Sequence, residues 1–307
     1  MNEINVVKTY TNGEIALCNL ASINLHEYDL LNDTEKYNLI YDIVSTMDNT
    51  IDLAYYMVKD AQTSNKKYRY LGIGVSNLAV LLAKHKIIID SQESLEFQAK
   101  LFDELLYNCV KASMQLAIEK GRAEGFNETK WAKGLYPYLI GNKKAKKLIK
   151  FKPDENKWNK LMEDVKKYGM RNSALMAIAP TATSGRSINA SESIEPIQKL
   201  LYKEDGNINI KTLAPMFKEY NQYYKLAQEC DPMMLIKAAA VRQLFLDQSQ
   251  SVNMYSYTFN GELNYIQKSS HKLSLLHMYA HQLGLKTLYY FKSEKDNGVE
   301  HECESCS

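Results

Sequence analysis

Five strand-like segments, each parted from the next by helical periodicity, constrain this chain more than any other feature. They are Glu14 to Leu25, Tyr70 to Val75, Ser173 to Ala179, a stretch near Ser251 to Tyr255, and Lys286 to Phe291. Strands that alternate with helices build an α/β architecture with a largely parallel sheet, because a parallel connection needs a crossover long enough to hold a helix. Five strands are too few to close a barrel, which takes about eight. The expected sheet is therefore open or incomplete.

The intervening helices carry their own signals. From about Thr34 to Gln62, the residues Leu39, Ile40, Ile43, Val44, Met47, Ile51 and Ala54 recur at helical spacing, and Asn32 with Glu35 fits a capping box. A long helix is expected from Ser91 to Lys120, with Asp90 and Glu93 as its capping box, Gly121 as its stop, and Phe102, Leu106, Cys109, Val110 and Ser113 on one face. Asp231-Pro232 is a good cap and first position for another helix. A last helix is expected from about Gly261 to Leu283, ending at Gly284. The stretch from Gly121 to Asp154 is basic and poorly periodic, with Lys143-Lys144-Ala145-Lys146-Lys147 inside it, and reads as a surface excursion. Residues 1–292 form the expected body. Residues 293–307 are polar and form a flexible tail.

A net charge of +2 gives no electrostatic argument for nucleic acid or an anionic membrane as partner. No apolar run approaches membrane-spanning length, and Asn2-Glu3-Ile4-Asn5 lacks the basic-then-apolar opening of a signal peptide. The expected compartment is the reducing cytoplasm. There, five cysteines are more often free, catalytic or metal-binding than bridged.

Two of those cysteines, Cys303 and Cys306, form a CxxC in the tail. A zinc site needs four ligands and only His301 is near, so no metal is expected. A mobile dithiol suits thiol–disulfide exchange, since it can visit a buried disulfide and then an external reductant. Cys18 lies in the first strand segment among apolar and small residues, where a lone cysteine is more often a core thiol. Cys109 reads as core. Cys230 precedes a helix start that could lower a thiol pKa, but nothing else there calls for reactivity. With 22 tyrosines in the chain, Tyr289-Tyr290 taken alone reads as ordinary strand aromatics, although a bend could bring the rings together.

The loop Pro180-Thr181-Ala182-Thr183-Ser184 follows the third strand segment. Its hydroxyls and backbone N–H groups could hold a phosphate, although the Gly-Lys-Ser/Thr ending of a P-loop is missing. Asp247-Gln248-Ser249-Gln250-Ser251 reads as a cap and turn cluster. Leu71-Gly72-Ile73-Gly74-Val75 lacks the third glycine of a dinucleotide fingerprint and reads as close backbone packing.

Taken together, several stretches resemble the large, catalytic subunit of class I ribonucleotide reductase. They run, in the family's order, through Gly13-Glu14-Ile15-Ala16-Leu17-Cys18-Asn19-Leu20, Gly72-Ile73-Gly74-Val75, Arg171-Asn172-Ser173 to Ser184, Ser193-Ile194-Glu195-Pro196, Asp247 to Ser251, Thr287-Leu288-Tyr289-Tyr290 and the terminal dithiol. The resemblance implies roles. Cys18 matches one of the two cysteines that reduce the ribose. Cys303 and Cys306 match the pair that re-reduces them and is renewed by thioredoxin or glutaredoxin. Tyr290 and Tyr289 match the pair that relays a radical from the small subunit, whose diferric-tyrosyl centre generates it; no cofactor is expected on this chain itself. Pro180, Thr181, Ala182, Thr183 and Ser184 match the loop that holds the diphosphate of a ribonucleoside diphosphate.

The departures are as informative. The family's large subunit is more than twice this length. Its radical-bearing cysteine lies in an Asn-x-Cys-x-Glu loop ahead of the Cys18 segment, and no such motif occurs here. The second reducing cysteine and the effector sites are missing as well. The family barrel has ten strands in two five-stranded halves. The expectation is thus the second five-stranded half of an α/β barrel, the C-terminal piece of a split subunit, completed by a separate chain carrying the first half. Such a half should leave two unpaired edges and an open apolar face. The rival readings are a non-catalytic remnant that binds the small subunit, and a stand-alone redox carrier that uses the CxxC tail.

Overall fold

The computed structural model describes residues 13–204, 210–256, 258–259, 262–263 and 270–293. In chain order the principal elements are β1 (Leu20–Asn24), α1 (Asp33–Leu53), α2 (Lys59–Tyr68), β2 (Gly72–Ser76), α3 (Leu78–Lys84) and α4 (Gln92–Lys120). There follow α5 (Glu155–Tyr168), α6 (Ala182–Ser187), the strands β3 (Leu201–Glu204) and β4 (Ile210–Leu213), α7 (Pro232–Gln243), β5 (Met254–Ser256), α8 (Ser270–Gln282) and β6 (Phe291–Ser293).

The five expected segments lie side by side, in sequence order and all parallel. β1 pairs with β2 in the register Leu20↔Gly72 to Asn24↔Ser76. The third segment forms no named strand, yet it lies against β2 through Leu71 N–H to Ala174 O (3.0 Å) and Ile73 N–H to Leu175 O (2.8 Å). Parallel bridges Ile73↔Met176 and Ile178↔Gln250 carry the order onward. β5 then pairs with β6 in the register Met254↔Phe291. Among the described residues, the outer edges of β1 and β6 have no strand partner. β3 and β4 form a separate antiparallel hairpin that periodicity did not show.

Close strand approach explains Gly74. A Cβ there would stand 2.9 Å from the Ala177 carbonyl oxygen, so only glycine lets the third segment lie against β2. The polar run at Asp247 is more than a turn. Its carboxylate accepts the N–H groups of Leu175 and Met176 at 2.8 Å each, and Gln248 donates to the Leu71 carbonyl at 2.6 Å. These side-chain bonds reinforce the backbone bonds between the third and fourth segments, Ile178 N–H to Ser249 O (3.1 Å) and Ser251 N–H to Ile178 O (2.9 Å).

Several helix boundaries shift. The helix expected from Thr34 to Gln62 breaks at residues 54–58 into α1 and α2. The Asn32–Glu35 capping box is present, whereas α4 is capped by Ser91, which accepts from Ser94 N–H, and not by Asp90. The last helix starts at Ser270. The stretch 121–154 is not a simple surface excursion. Phe126, Trp131 and Tyr136 are buried, and Tyr136 lies parallel to Trp158 of α5 with ring centroids 4.5 Å apart.

The open apolar face expected of a half-barrel is also absent at the centre of the sheet. All of β2 is buried, as is residue after residue from Asn172 to Ala179. One cause is the return segment 190–197, which folds back onto this region: Asn77 N–H donates to Ser191 O (2.9 Å) and Leu78 N–H to Ser193 O (3.3 Å). Exposed apolar side chains lie at the edges and on the 54–58 loop, and also on helices, among them Leu275 and Met278 of α8. Ile15 and Leu20 are 40% and 43% exposed beside β1, and Phe291 is 40% exposed on β6.

A buried ionic knot ties α1 to the start of the third segment. The Asp48 carboxylate, wholly buried, accepts from Arg69 Nε (2.6 Å), Arg171 Nε (3.1 Å) and Asn172 Nδ2 (3.2 Å). Removing one partner strands buried charge, which costs roughly 3–5 kcal/mol. Asp48→Ala should lower the urea midpoint of the chain accordingly. An unchanged midpoint would show that solvent enters the knot.

Candidate functional site

The third segment ends at Pro180, which has no N–H to continue a ladder. The chain turns there into α6 at the C-terminal edge of the sheet, where α/β ligands bind. Pro180, Ala182, Thr183 and Ser184 are exposed, while Thr181 is buried. Thr181 Oγ accepts from Ser193 N–H at 2.7 Å, and Ser193 Oγ donates to Ala179 O at 3.2 Å. Thr181 is therefore committed to shaping the loop. Thr183 and Ser184 are the exposed hydroxyl residues of the loop. Below the loop, Asn77 Nδ2 donates to Asn24 Oδ1 (2.9 Å) and Ser191 N–H to Asn77 Oδ1 (2.8 Å), which locks the ends of β1 and β2 to the return segment.

Tyr289 and Tyr290 do not alternate across a strand. They precede β6, their ring centroids are 4.0 Å apart at 49°, and the two hydroxyls are 3.2 Å apart. Asn253 and Val252 cause this: Val252 O accepts Tyr289 N–H (2.8 Å), while Tyr290 N–H turns to the Asn253 side chain (3.3 Å) and Tyr290 O accepts Met254 N–H (2.8 Å). Val252 lies two residues past the Ile178↔Gln250 bridge, level with Pro180. The tyrosine pair thus lies on the far side of the fourth segment from the third segment and its 180–184 loop.

Cys18 is exposed and lies just ahead of β1, so the core reading of that thiol is corrected. It stands at the opposite edge of the sheet from Tyr289, and the structure does not bring the two together within the five segments. Cys109 is core, as expected, and burial raises its thiol pKa strongly. Cys230 is buried and pushed up to about 12 by burial and then by Asp90, the opposite of an activated thiol. Cys303 and Cys306 lie outside the described residues. Among the described residues no cluster of three or more His, Cys, Asp or Glu could hold a metal ion. No described helix is long and apolar enough to cross a membrane.

One constellation was not singled out from sequence. Glu195, 5% exposed, accepts the Tyr255 hydroxyl. Burial, then Glu192, raise its carboxyl to about 7, against the Tyr255 hydrogen bond, Lys292 and Arg242. Arg242, 4% exposed and pushed down to about 10 by burial, donates to Gln250 Oε1 (3.0 Å) and Gln98 Oε1 (2.5 Å). Glu195 and Arg242 share a cavity of about 20 Å³, room for one water. The Ser193-Ile194-Glu195-Pro196 stretch stands out in the sequence through the family resemblance alone, and its partner on β5 lies too far along the chain to be paired with it by pattern.

Set beside known proteins, the chain matches the model of the ribonucleotide reductase barrel domain over residues 3–208 and 201–291. It belongs to this family. It is similar to the ribonucleoside-diphosphate reductase subunit alpha of Helicobacter pylori strain J99, 36% identical over 94% of this chain and 36% of the relative. The subunit of the same name from Treponema pallidum is 33% identical over 94% and 32%. That from Buchnera aphidicola of Acyrthosiphon pisum is 34% identical over 97% and 40%. The chain thus spans about a third of the length of the curated relatives it matches. As part of a reductase barrel, the five parallel segments, the 180–184 loop and the tyrosine pair fall within the matched residues.

Proposed function

We propose that the chain supplies the second half of the barrel of a class I ribonucleoside-diphosphate reductase, completed by a second polypeptide that carries the first half. The observation that carries this reading is the Tyr289–Tyr290 pair, rings together and hydroxyls 3.2 Å apart, in the same parallel set of segments whose third member ends in a hydroxyl-rich loop. Two phenols in van der Waals contact can exchange an electron while a proton passes between their oxygens. The edges of β1 and β6, which have no strand partner among the described residues and along which Ile15, Leu20 and Phe291 are exposed, support a completing partner. Closing the sheet would bring Cys18 and Tyr289 to face one interior from opposite sides.

In this reading Tyr290 receives an oxidising equivalent from the small subunit and hands it to Tyr289, each phenol losing an electron and a proton and regaining them in turn. Tyr289 passes it to a cysteine on the completing polypeptide. The resulting thiyl takes the 3′ hydrogen of a ribonucleoside diphosphate whose phosphates rest on residues 180–184. Cys18 and a second thiol on that polypeptide give two electrons and two protons and become a disulfide, the 2′ hydroxyl leaves as water, and the first cysteine returns its hydrogen to the 3′ carbon and is again a thiyl. Cys303 and Cys306 exchange with that disulfide and are reduced in turn by thioredoxin or glutaredoxin.

Co-expression with a polypeptide bearing the Asn-x-Cys-x-Glu half tests this. The two should co-purify and, with the small subunit, reduce cytidine diphosphate, and neither should do so alone. Failure of the halves to associate, or association with no turnover, would count against it, and the second outcome would favour a binding remnant.

A further inference from the structure

The stretch 192–195 touches both the 180–184 loop and the strands beside the tyrosine pair, and nothing in the proposed chemistry uses it. On the loop side, Ser193 N–H donates to Thr181 Oγ (2.7 Å) and Ser193 itself sits at φ 41, a conformation held by its surroundings. On the strand side there are two bridges. Tyr255 of β5 donates its hydroxyl to Glu195, and Lys292 of β6 approaches Glu192 at 3.8 Å. Tyr255 and Lys292 are register partners, with the Lys292 ammonium 5.9 Å from the Tyr255 ring centroid. One residue before Tyr255, Met254 N–H holds the Tyr290 carbonyl at 2.8 Å. Thr181, Ser193, Glu195, Tyr255 and Tyr290 thus form one short bonded route.

We propose that Glu195 and Tyr255 are positioning residues: their hydrogen bond transmits occupancy of the 180–184 loop to the backbone that sets the Tyr289–Tyr290 geometry. The inference rests on the reading of that loop as a diphosphate site. Glu195 is placed so that its ionisation tunes the strut. The groups facing it are Tyr255 on β5, Lys292 on β6, Arg242 on α7, Glu192 on its own segment and Cys230 ahead of α7. Burial holds its carboxyl near 7, so it changes charge around neutrality. A phenol bond to a carboxylate is roughly twice as strong as one to a neutral carboxyl. The strut is therefore tightest above pH 7 and slackens as pH falls through it.

Hydrogen exchange of residues 286–293 with and without cytidine diphosphate, in the full chain assembled with its completing half, tests the route. In the wild type the ligand should slow exchange there by about threefold or more at pH 7.8 and much less at pH 6.2, after correction for intrinsic rates. Glu195→Gln, which imitates the protonated acid, should show the weak response at both pH values. A merely structural glutamate would lower stability without erasing that pH dependence. Should Glu195→Gln melt below the assay temperature, Tyr255→Phe removes one oxygen from the same bond and must give the same result. Protection confined to residues 180–195, or undiminished protection at 286–293 in both variants, overturns the inference and leaves the diphosphate site standing. No ligand-dependent change anywhere in the wild type sinks the loop assignment and this inference with it.

Discussion

Replacing Tyr289 with phenylalanine should abolish turnover in the assembled enzyme and leave nucleotide binding intact. Phenylalanine keeps the ring that packs 4.0 Å from Tyr290, so the loop and β6 stay where they are. What it removes is the hydroxyl 3.2 Å from that of Tyr290, and with it the only O–H bond on the ring that can lose a proton as the electron leaves. A benzene ring is far harder to oxidise than a phenol. The loss should exceed about a thousandfold, equivalent to roughly 4 kcal/mol of barrier. Product assays set beside equilibrium binding of cytidine diphosphate separate the two effects. Turnover within a few-fold of wild type would remove Tyr289 from the relay. Loss of binding in step with activity would instead point to a structural role.

That pair also marks where sequence reasoning was strong and where it ran out. As two tyrosines among 22 they read as ordinary strand aromatics; the family resemblance singles them out, and strand alternation makes their contact depend on a bend. The contact arises because Asn253 and Val252 take the two backbone N–H groups in different ways, a tertiary fact. Local signals did better. Asn32 and Glu35 cap α1, and Asp231 with Pro232 opens α7, since these bonds span only a few residues. Helix α5 carries equally local signals. Asp154 caps it, and Trp158, Leu161, Met162 and Val165 form its buried stripe.

The fold was readable as an order of strands because apolar runs divided by helical stretches leave few topologies. Its details were not. The third segment bonds through its backbone on both sides, and the Asp247 and Gln248 side chains add bonds that reach from the fourth segment to Leu175, Met176 and Leu71, long-range contacts with no local signature. Glu195 is the sharpest case. An isolated glutamate between Ile194 and Pro196 gives no sign that Tyr255, sixty residues on, supplies its partner.

The two cysteine roles separate by counting turnovers. Cys18→Ser should give no deoxynucleotide even in the first turnover, because a serine hydroxyl cannot join a disulfide and the two electrons for the ribose have no source. Cys303→Ser should give about one product per assembled active site and then stop, since the first turnover draws only on the Cys18 pair and the tail is needed to reset it. Dithiothreitol sharpens the contrast. As a small dithiol it can enter the assembled site by the substrate's own route, and should restore sustained turnover to Cys303→Ser while leaving Cys18→Ser dead. Thioredoxin should support the wild type and neither variant. Sustained thioredoxin-driven turnover by Cys303→Ser would remove the tail from the electron path. Product from Cys18→Ser would show that the reducing pair lies wholly on the other polypeptide, and that the exposed thiol ahead of β1 has some other use.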